Sequence, residues 1–333
     1  MAHFQEWELE TSRTGVGAVS TVSIFRKRFG HSSVCTGTIG GFTLKEVLNQ
    51  ALAQQVTETS QSAWSPHSME RTDGASKART GKVVNCLFPN PDAVFRLICF
   101  PWAGGGSVYF AKWGQEIHNS LEVHSIRLAG RESRSEEPFV NDIHQVADEI
   151  AHALLPVLQD KSFAFFGHSM GAYIAFMTAL CLKEKYKLEP MHIFVSSANA
   201  PHSKSRFHLP ETPKMSEEQI IHYIMEIGGT PENLTNNEEL LQQYIPKLMA
   251  DIYLASNFFF DSPPEAVLSC GLTCFVGSKD FAEDLEAWKD ITSGSFDIHV
   301  LPGNHFYLME PSNESFLKKC ITRHLELSAL TMY

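Results

Sequence analysis

Six short apolar runs, at residues 94–100, 121–126, 163–166, 192–196, 272–276 and 298–301, constrain this chain more than any other feature of it. Each is rich in β-branched or aromatic residues and lacks the polar alternation of a strand with one wet face, so each reads as a strand buried on both faces. Helical patterns separate several of them. In 142–158 the apolar positions Ile143, Val146, Ile150, Leu154 and Val157 follow a 3.6-residue period, with Asn141 or Asp142 available as N-cap. Residues 172–181 and 312–327 also read as helices. Strands alternating with helices predict a mostly parallel sheet with helices on both faces.

One insertion breaks the alternation. Residues between 196 and 272 carry helical patterns at 216–227 and 238–258 but no strand signal. In a doubly wound fold such an insertion stands above the carboxyl ends of the strands, where ligands bind, so residues 200–265 are expected to form a lid rather than a peripheral ornament. The first 68 residues differ in character. Segments 11–41 and 54–68 are dominated by Gly, Ser, Thr and Gln and hold no long apolar period, while 43–53 could form one short helix. The Arg26-Lys27-Arg28 cluster suggests a transit peptide, but Glu6, Glu8 and Glu10 spoil the acid-poor composition such a peptide needs. With Met69 just ahead of the ordered pattern, residues 1–68 are expected to be a disordered or isoform-specific extension, and 69–333 the folded domain.

Charge narrows the function classes. A formal net charge of −11 argues against nucleic acid as a partner and against adhesion to anionic membranes, since both need clustered Lys and Arg. No apolar stretch approaches the ~18 residues of a spanning helix. The seven cysteines sit mostly inside apolar runs with no metal-ligand or disulfide-framework spacing, as in a reduced cytosolic protein.

The run Phe163-Ala164-Phe165-Phe166-Gly167-His168-Ser169-Met170-Gly171 carries the chemistry. It has the form G-x-S-x-G between an apolar strand and a helix, the elbow of an α/β-hydrolase. A serine on so sharp a turn needs strained backbone, and glycines two residues to either side remove the clashing Cβ atoms. Its hydroxyl then stands at a helix N-terminus, where N–H groups favour developing negative charge. The bland alternative is a tight turn with an ordinary N-cap serine.

A serine hydroxyl needs a base, and the base needs a carboxylate to hold its tautomer. In this fold the order along the chain is serine, acid, histidine, on loops after later strands. Asp280 ends one strand in "LTCFVGSKD" and His305 ends the next in "DIHVLPGNHF". Glu283, Asp284 and Asp290 compete with Asp280 but fall in the following helical segment; His168 reads as structural and His299 as facing out of a strand. The oxyanion would be met by the Met170 N–H and, from the loop Pro101-Trp102-Ala103-Gly104-Gly105-Gly106-Ser107, by the Ala103 N–H. That loop lacks both the Walker lysine and the G-x-G-x-x-G spacing of a nucleotide cradle.

Taken together, "ICFPWAGGGSVYFAKW", "RLAGRESRSEEP", "FFGHSMGAYIAF", "CFVGSKD" and "LPGNHFYL", in that order, make residues 83–327 resemble the type II thioesterases. Carried over residue by residue, the family's catalytic serine, acid and base fall on Ser169, Asp280 and His305. Two positions depart from the family pattern: Ala129 stands where a proline is usual, and Asn304 where a second glycine is usual before the histidine. Asn304 is expected to tolerate a left-handed backbone there.

The resemblance implies hydrolysis of the thioester between a fatty acyl chain and the phosphopantetheine arm of a fatty acid synthase's acyl carrier domain, releasing a medium-chain acid. No metal or cofactor is implied, and the enzyme is expected to be a cytosolic monomer. Trp102, Arg131, Ile224 and Phe258 are the candidate substrate contacts. For Arg131 and Arg134 the alternative is local salt bridging with Glu132, Glu136 and Glu137; for the apolar lid residues it is packing of the lid onto the sheet. A general carboxyl-ester or acyl-CoA hydrolase, and a silent binding protein on a hydrolase scaffold, are the competing functions.

Overall fold

The computed structural model describes residues 9–13, 19–28, 31–40, 79–205, 219 and 238–331. Its contacts divide the chain into one unit over residues 1–61 and another over residues 62–333. In the first unit, β1 (Leu9–Arg13), β2 (Val19–Arg28) and β3 (His31–Gly40) pair antiparallel in order. The sequence reading expects disorder or an isoform-specific segment here. Three strands lie within that stretch, and β-branched residues such as Val19, Thr21, Val22 and Ile24 suit a pleated strand without any apolar period. The short helix expected at 43–53 lies outside the described residues.

The second unit is built on a seven-stranded sheet: β4 (Val84–Asn85), β5 (Phe95–Phe100), β6 (Leu121–Ile126), β7 (Ser162–His168), β8 (His192–Ser196), β9 (Gly271–Gly277) and β10 (Phe296–Leu301). The spatial order is β10-β9-β8-β7-β5-β6-β4, and every pairing is parallel except that of β4 with β6. This is the α/β-hydrolase arrangement that the alternation of strands and helices predicts. β5 and β6 grow the sheet one way; β7 returns to the other side of β5, and β8 to β10 grow it the opposite way. The loops after β5 and β7 therefore part at the switch point, which opens a crevice at their carboxyl ends.

Among the helices, α1 (Val108–Ala111) follows the β5 loop, α2 (Ile143–Leu158) precedes β7, α3 (Met170–Cys181) follows β7, α4 (Glu238–Ser256) belongs to the expected lid and α5 (Pro311–Thr331) follows β10. α2 buries one stripe, from Ile143 through Val146, Ile150 and Leu154, and Asp142 caps it by accepting the His144 N–H at 2.9 Å. α3 is different, since Met170 to Leu180 are all buried. A helix apolar on every side can only sit inside, and α3 packs between the sheet, α2 and α4, which fixes the residue at its N-terminus.

Candidate active site

The chain leaves β7 at His168 and enters α3 at Met170, so the whole reversal falls on Ser169, with φ 56° and ψ −122°. A non-glycine residue with positive φ is strained, and here the strain aims the hydroxyl out of the turn. The Ser169 N–H is held by the Ser196 carbonyl at 2.8 Å. Both glycines of the motif are needed. A Cβ on Gly171 would run into the carbonyls of Phe100 and Pro101, and one on Gly167 into the backbone of Ala172.

His168 is fully buried, its Nδ1 2.8 Å from Ser196 Oγ, which in turn lies 2.7 Å from the Tyr307 hydroxyl. Burial, then the neighbouring His305, pushes its pKa well below 6.5, so the ring is neutral packing near pH 7. The rings of Trp102 and Phe306 lie 5.8 and 5.7 Å from it. His305 is its neighbour too, with ring centroids 5.1 Å apart. Since Ser169 is covalently next to His168, serine and His305 share one neighbourhood.

Asp280 and His305 meet across the loops that follow β9 and β10. Ser278 N–H bonds the Leu301 carbonyl at 2.7 Å and Lys279 N–H the Gly303 carbonyl at 2.8 Å, which laces the two loops together. His305 Nδ1 donates to Asp280 Oδ1 at 3.0 Å, with both side chains almost wholly enclosed. The same oxygen accepts the Phe281 N–H at 2.7 Å. Burial pushes the Asp280 carboxyl up, but the hydrogen bond and charge of His305, with the Ser197 hydroxyl beside it, outweigh that and leave it below its usual value. Among the described residues Asp280 Oδ2 has no bond of good geometry, and the Ser197 hydroxyl turns to the His305 carbonyl at 3.3 Å. With its proton on Nδ1, His305 presents a lone pair at Nε2, as a general base requires. Phe281 stacks on its ring at 4.5 Å. Two of the competing acids are engaged elsewhere: Asp284 takes the Ser203 hydroxyl, and Asp290 lies 3.3 Å from His202.

The turn before His305 corrects one expectation. The positive φ, 127°, belongs to Gly303, and Asn304 is not left-handed. Asn304 instead closes the turn with its side chain, Oδ1 accepting the Phe306 N–H at 3.0 Å.

The loop after β5 turns at Gly104, φ 76°, with the Gly105 N–H on the Trp102 carbonyl at 2.9 Å. The Gly104 N–H donates to Asp251 Oδ2 at 2.7 Å. Those two amides are thus engaged inside the protein. Trp102 meets Tyr109, Phe110, His168 and Phe306 edge-on and forms a wall of the site.

Arg131 is where the structure departs most from the sequence reading. Its guanidinium is buried and forks onto Asp251, NH1 to Oδ2 and NH2 to Oδ1, each at 2.7 Å, while NH1 also donates to the Gly105 carbonyl at 2.8 Å. It therefore neither awaits a phosphate nor pairs with a local glutamate; its partner lies 120 residues on, in α4. Arg134 pairs with Glu137 and with the more distant Glu149, at 2.6 and 2.7 Å. Asp251 thus clamps the glycine loop from the lid helix, and Tyr244, on the same face of α4, lays its ring over Gly104. Sequence reasoning missed Asp251. Its signal was there, as the one acidic residue on the stripe Tyr244, Leu248, Asp251, Ala255.

Of the other candidate contacts, Phe258 is buried, its ring 5.9 Å from that of Tyr173, and Phe260 meets Phe176 edge-on, so the segment after α4 packs onto the core. Ile224, with the helical pattern at 216–227, lies outside the described residues.

Residues 95–323 match the model of the thioesterase domain family. The chain is 59% identical over 263 residues, 79% of its own length, to the whole of the medium-chain S-acyl fatty acid synthase thioesterase of Rattus norvegicus. It is 55% identical over 265 residues, 80% of its length, to the whole of that of Homo sapiens. Among solved structures, human thioesterase 2 superposes with a TM-score of 0.58 at 48% identity, covering 71% of this chain and 98% of that one.

Proposed function

The chain belongs to the thioesterase family, and from that premise we propose that it hydrolyses the acyl thioester carried by a fatty acid synthase's acyl carrier domain, releasing free medium-chain acids. The carrying observation is the enclosed Asp280–His305 pair at 3.0 Å, set beside the strained serine elbow.

Ser169 Oγ attacks the thioester carbonyl while His305 Nε2 takes its proton. The tetrahedral oxyanion is met by the N–H groups of Met170 and Ala103. Collapse breaks the C–S bond, and His305 returns its proton to the departing thiolate. Water then attacks the acyl carbon as His305 takes its proton, and collapse breaks the ester bond as His305 returns that proton to Ser169 Oγ, freeing the acid and restoring the enzyme. Asp280 holds the imidazole in the required tautomer throughout. This scheme draws on no metal or cofactor; the phosphopantetheine arm arrives with the carrier. We read the enzyme as a cytosolic monomer with Trp102 lining the acyl entrance.

The test is product analysis with acyl-loaded synthase, with and without Ser169→Ala, beside acyl-CoA and simple oxygen esters of matched chain length. Carrier-bound acyl chains should be the best substrate and Ser169→Ala should release none. Release by the variant would overturn the mechanism, and preference for oxygen esters would overturn the substrate.

A further inference from the structure

A second cluster of reactive side chains lies on the outer part of the sheet. β10 is an edge strand, and its His299 stacks on Phe275 of β9 at 5.3 Å with planes 17° apart. α5 covers that face with Phe316, Cys320 and His324, spaced four apart and therefore in one row. Cys320 Sγ lies 3.8 Å from His299 Nε2 and 3.5 Å from His324 Nδ1. The three ligand atoms all fall within 4.8 Å of one another, and all three residues are half-buried.

We propose that His299, Cys320 and His324 form a binding site for a divalent transition ion of the zinc class. Metal–sulfur and metal–nitrogen bonds of about 2.3 and 2.0–2.1 Å at a tetrahedral angle set the sulfur–nitrogen edge at about 3.5–3.6 Å. The Cys320–His324 edge of 3.5 Å has that length, and the Cys320–His299 edge of 3.8 Å needs only a small inward shift of the strand histidine. Hydrogen bonding within the cluster does not account for the pair. His324 Nδ1 already lies 2.9 Å from the Cys320 carbonyl, and a thiol has a single proton for two imidazoles. One thiolate with two imidazoles suits Zn²⁺ or Co²⁺ rather than the hard oxygen-seeking cations.

Binding balances simply. Cys320 loses its proton to solvent as the sulfur–metal bond forms. The His324 proton moves from Nδ1 to Nε2, which frees the Cys320 carbonyl, and His299 binds through Nε2. One proton is released per ion. The fourth position is open to water because the cluster is half-buried. Strand and helix supply the ligands from separate elements, so the sequence shows only the four-residue spacing of Cys320 and His324 and nothing that joins His299 to them. The bound ion staples the exposed edge of the sheet, where Val300 is 64% accessible, to the helix that covers it.

The experiment uses the full chain, stripped with a chelator and kept reduced with a phosphine. Co²⁺ is titrated in while the thiolate-to-cobalt charge-transfer band and the tetrahedral visible bands are followed. One Co²⁺ per chain is expected, displaced by Zn²⁺, with Zn²⁺ raising Tm. Cys320→Ser should abolish the charge-transfer band and the Tm rise, and His299→Gln or His324→Gln should weaken Co²⁺ binding at least 10-fold. Cys86→Ser, in the other candidate group of Cys86, Glu122 and His124, should change nothing. No thiolate band in the wild-type protein would overturn the site, as would a band that survives Cys320→Ser or disappears with Cys86→Ser. Should Cys320→Ser fail to fold, the two histidine variants decide by the same readout.

Discussion

Replacing Asp251 by Ala removes the clamp between the lid helix and the oxyanion loop, and the structure sets the size of both effects. The Arg131 and Asp251 side chains are 4% and 5% exposed, so the variant strands a buried guanidinium. Breaking one side of such a pair costs about 3–5 kcal/mol. At roughly 2–4 °C per kcal/mol for a domain of this class, Tm should fall by about 6–20 °C. The loop also loses the acceptor of its Gly104 N–H, so the Ala103 N–H next to it drifts from the oxyanion position. Losing one such donor lowers kcat by about 10²–10³-fold. KM should hardly move, since the oxyanion exists only in the transition state. The pair Arg131→Met with Asp251→Leu separates the two effects. It removes both charges, so most of the lost stability should return, while Gly104 N–H and Gly105 C=O remain without partners and kcat stays low. Thermal unfolding and steady-state hydrolysis of a soluble acyl thioester measure both quantities. A single variant with Tm within about 2 °C of wild type, or a double variant that recovers kcat along with stability, would refute the reasoning.

Asp280→Asn should fold normally yet lose about 10⁴-fold in kcat near neutral pH, because an amide acceptor no longer selects the Nδ1–H tautomer of His305; a loss below about tenfold would remove Asp280 from the triad. Gly171→Ala should destabilise the fold by 3 kcal/mol or more, on the order of the largest single-residue effects, since its Cβ meets the Phe100 carbonyl at the elbow; urea unfolding with a midpoint unchanged from wild type would contradict that. Glu122 is held down to about 2, first by its hydrogen bond to His124, against the upward push of burial and with help from the Asn90 N–H and Arg96. A carboxyl depressed from 4.5 binds fewer protons folded than unfolded, so its stabilisation is complete above about pH 4.5 and is lost as pH falls toward about 2. Stability against pH should therefore be flatter in Glu122→Gln over that window; parallel curves for variant and wild type would show that the pairing does not stabilise the fold. His168→Asn should leave the acid limb of the pH–rate profile in place, because His168 is already neutral there; a shifted limb would make it a titrating partner of the site.

What the sequence determined by itself is everything set within a few residues. Strand identity follows from unbroken apolar runs, and helix faces follow from a 3.6-residue period, so β5 to β10 and α2, α3 and α5 stand within a few residues of where the pattern puts them. The elbow at Ser169 was legible because its stereochemistry is local: two missing Cβ atoms and one strained φ. The order of Ser169, Asp280 and His305 was legible because each ends a strand, and parallel strands deliver their ends to one edge. Tertiary structure decided what depends on crossovers. Arg131 reads locally as a partner for neighbouring glutamates, but burial beneath α4 brings it to Asp251, the acid that can meet both nitrogens of its fork. Asn304 reads as a stand-in for glycine, yet the loops laced at Lys279 and Gly303 put the left-handed step one residue earlier. Cys320 and His324 are four apart on α5, but nothing along the chain joins His299 to them. They meet because an edge strand and the helix that closes over it bring one face of each together, and charge and ligand chemistry act through space rather than along the backbone.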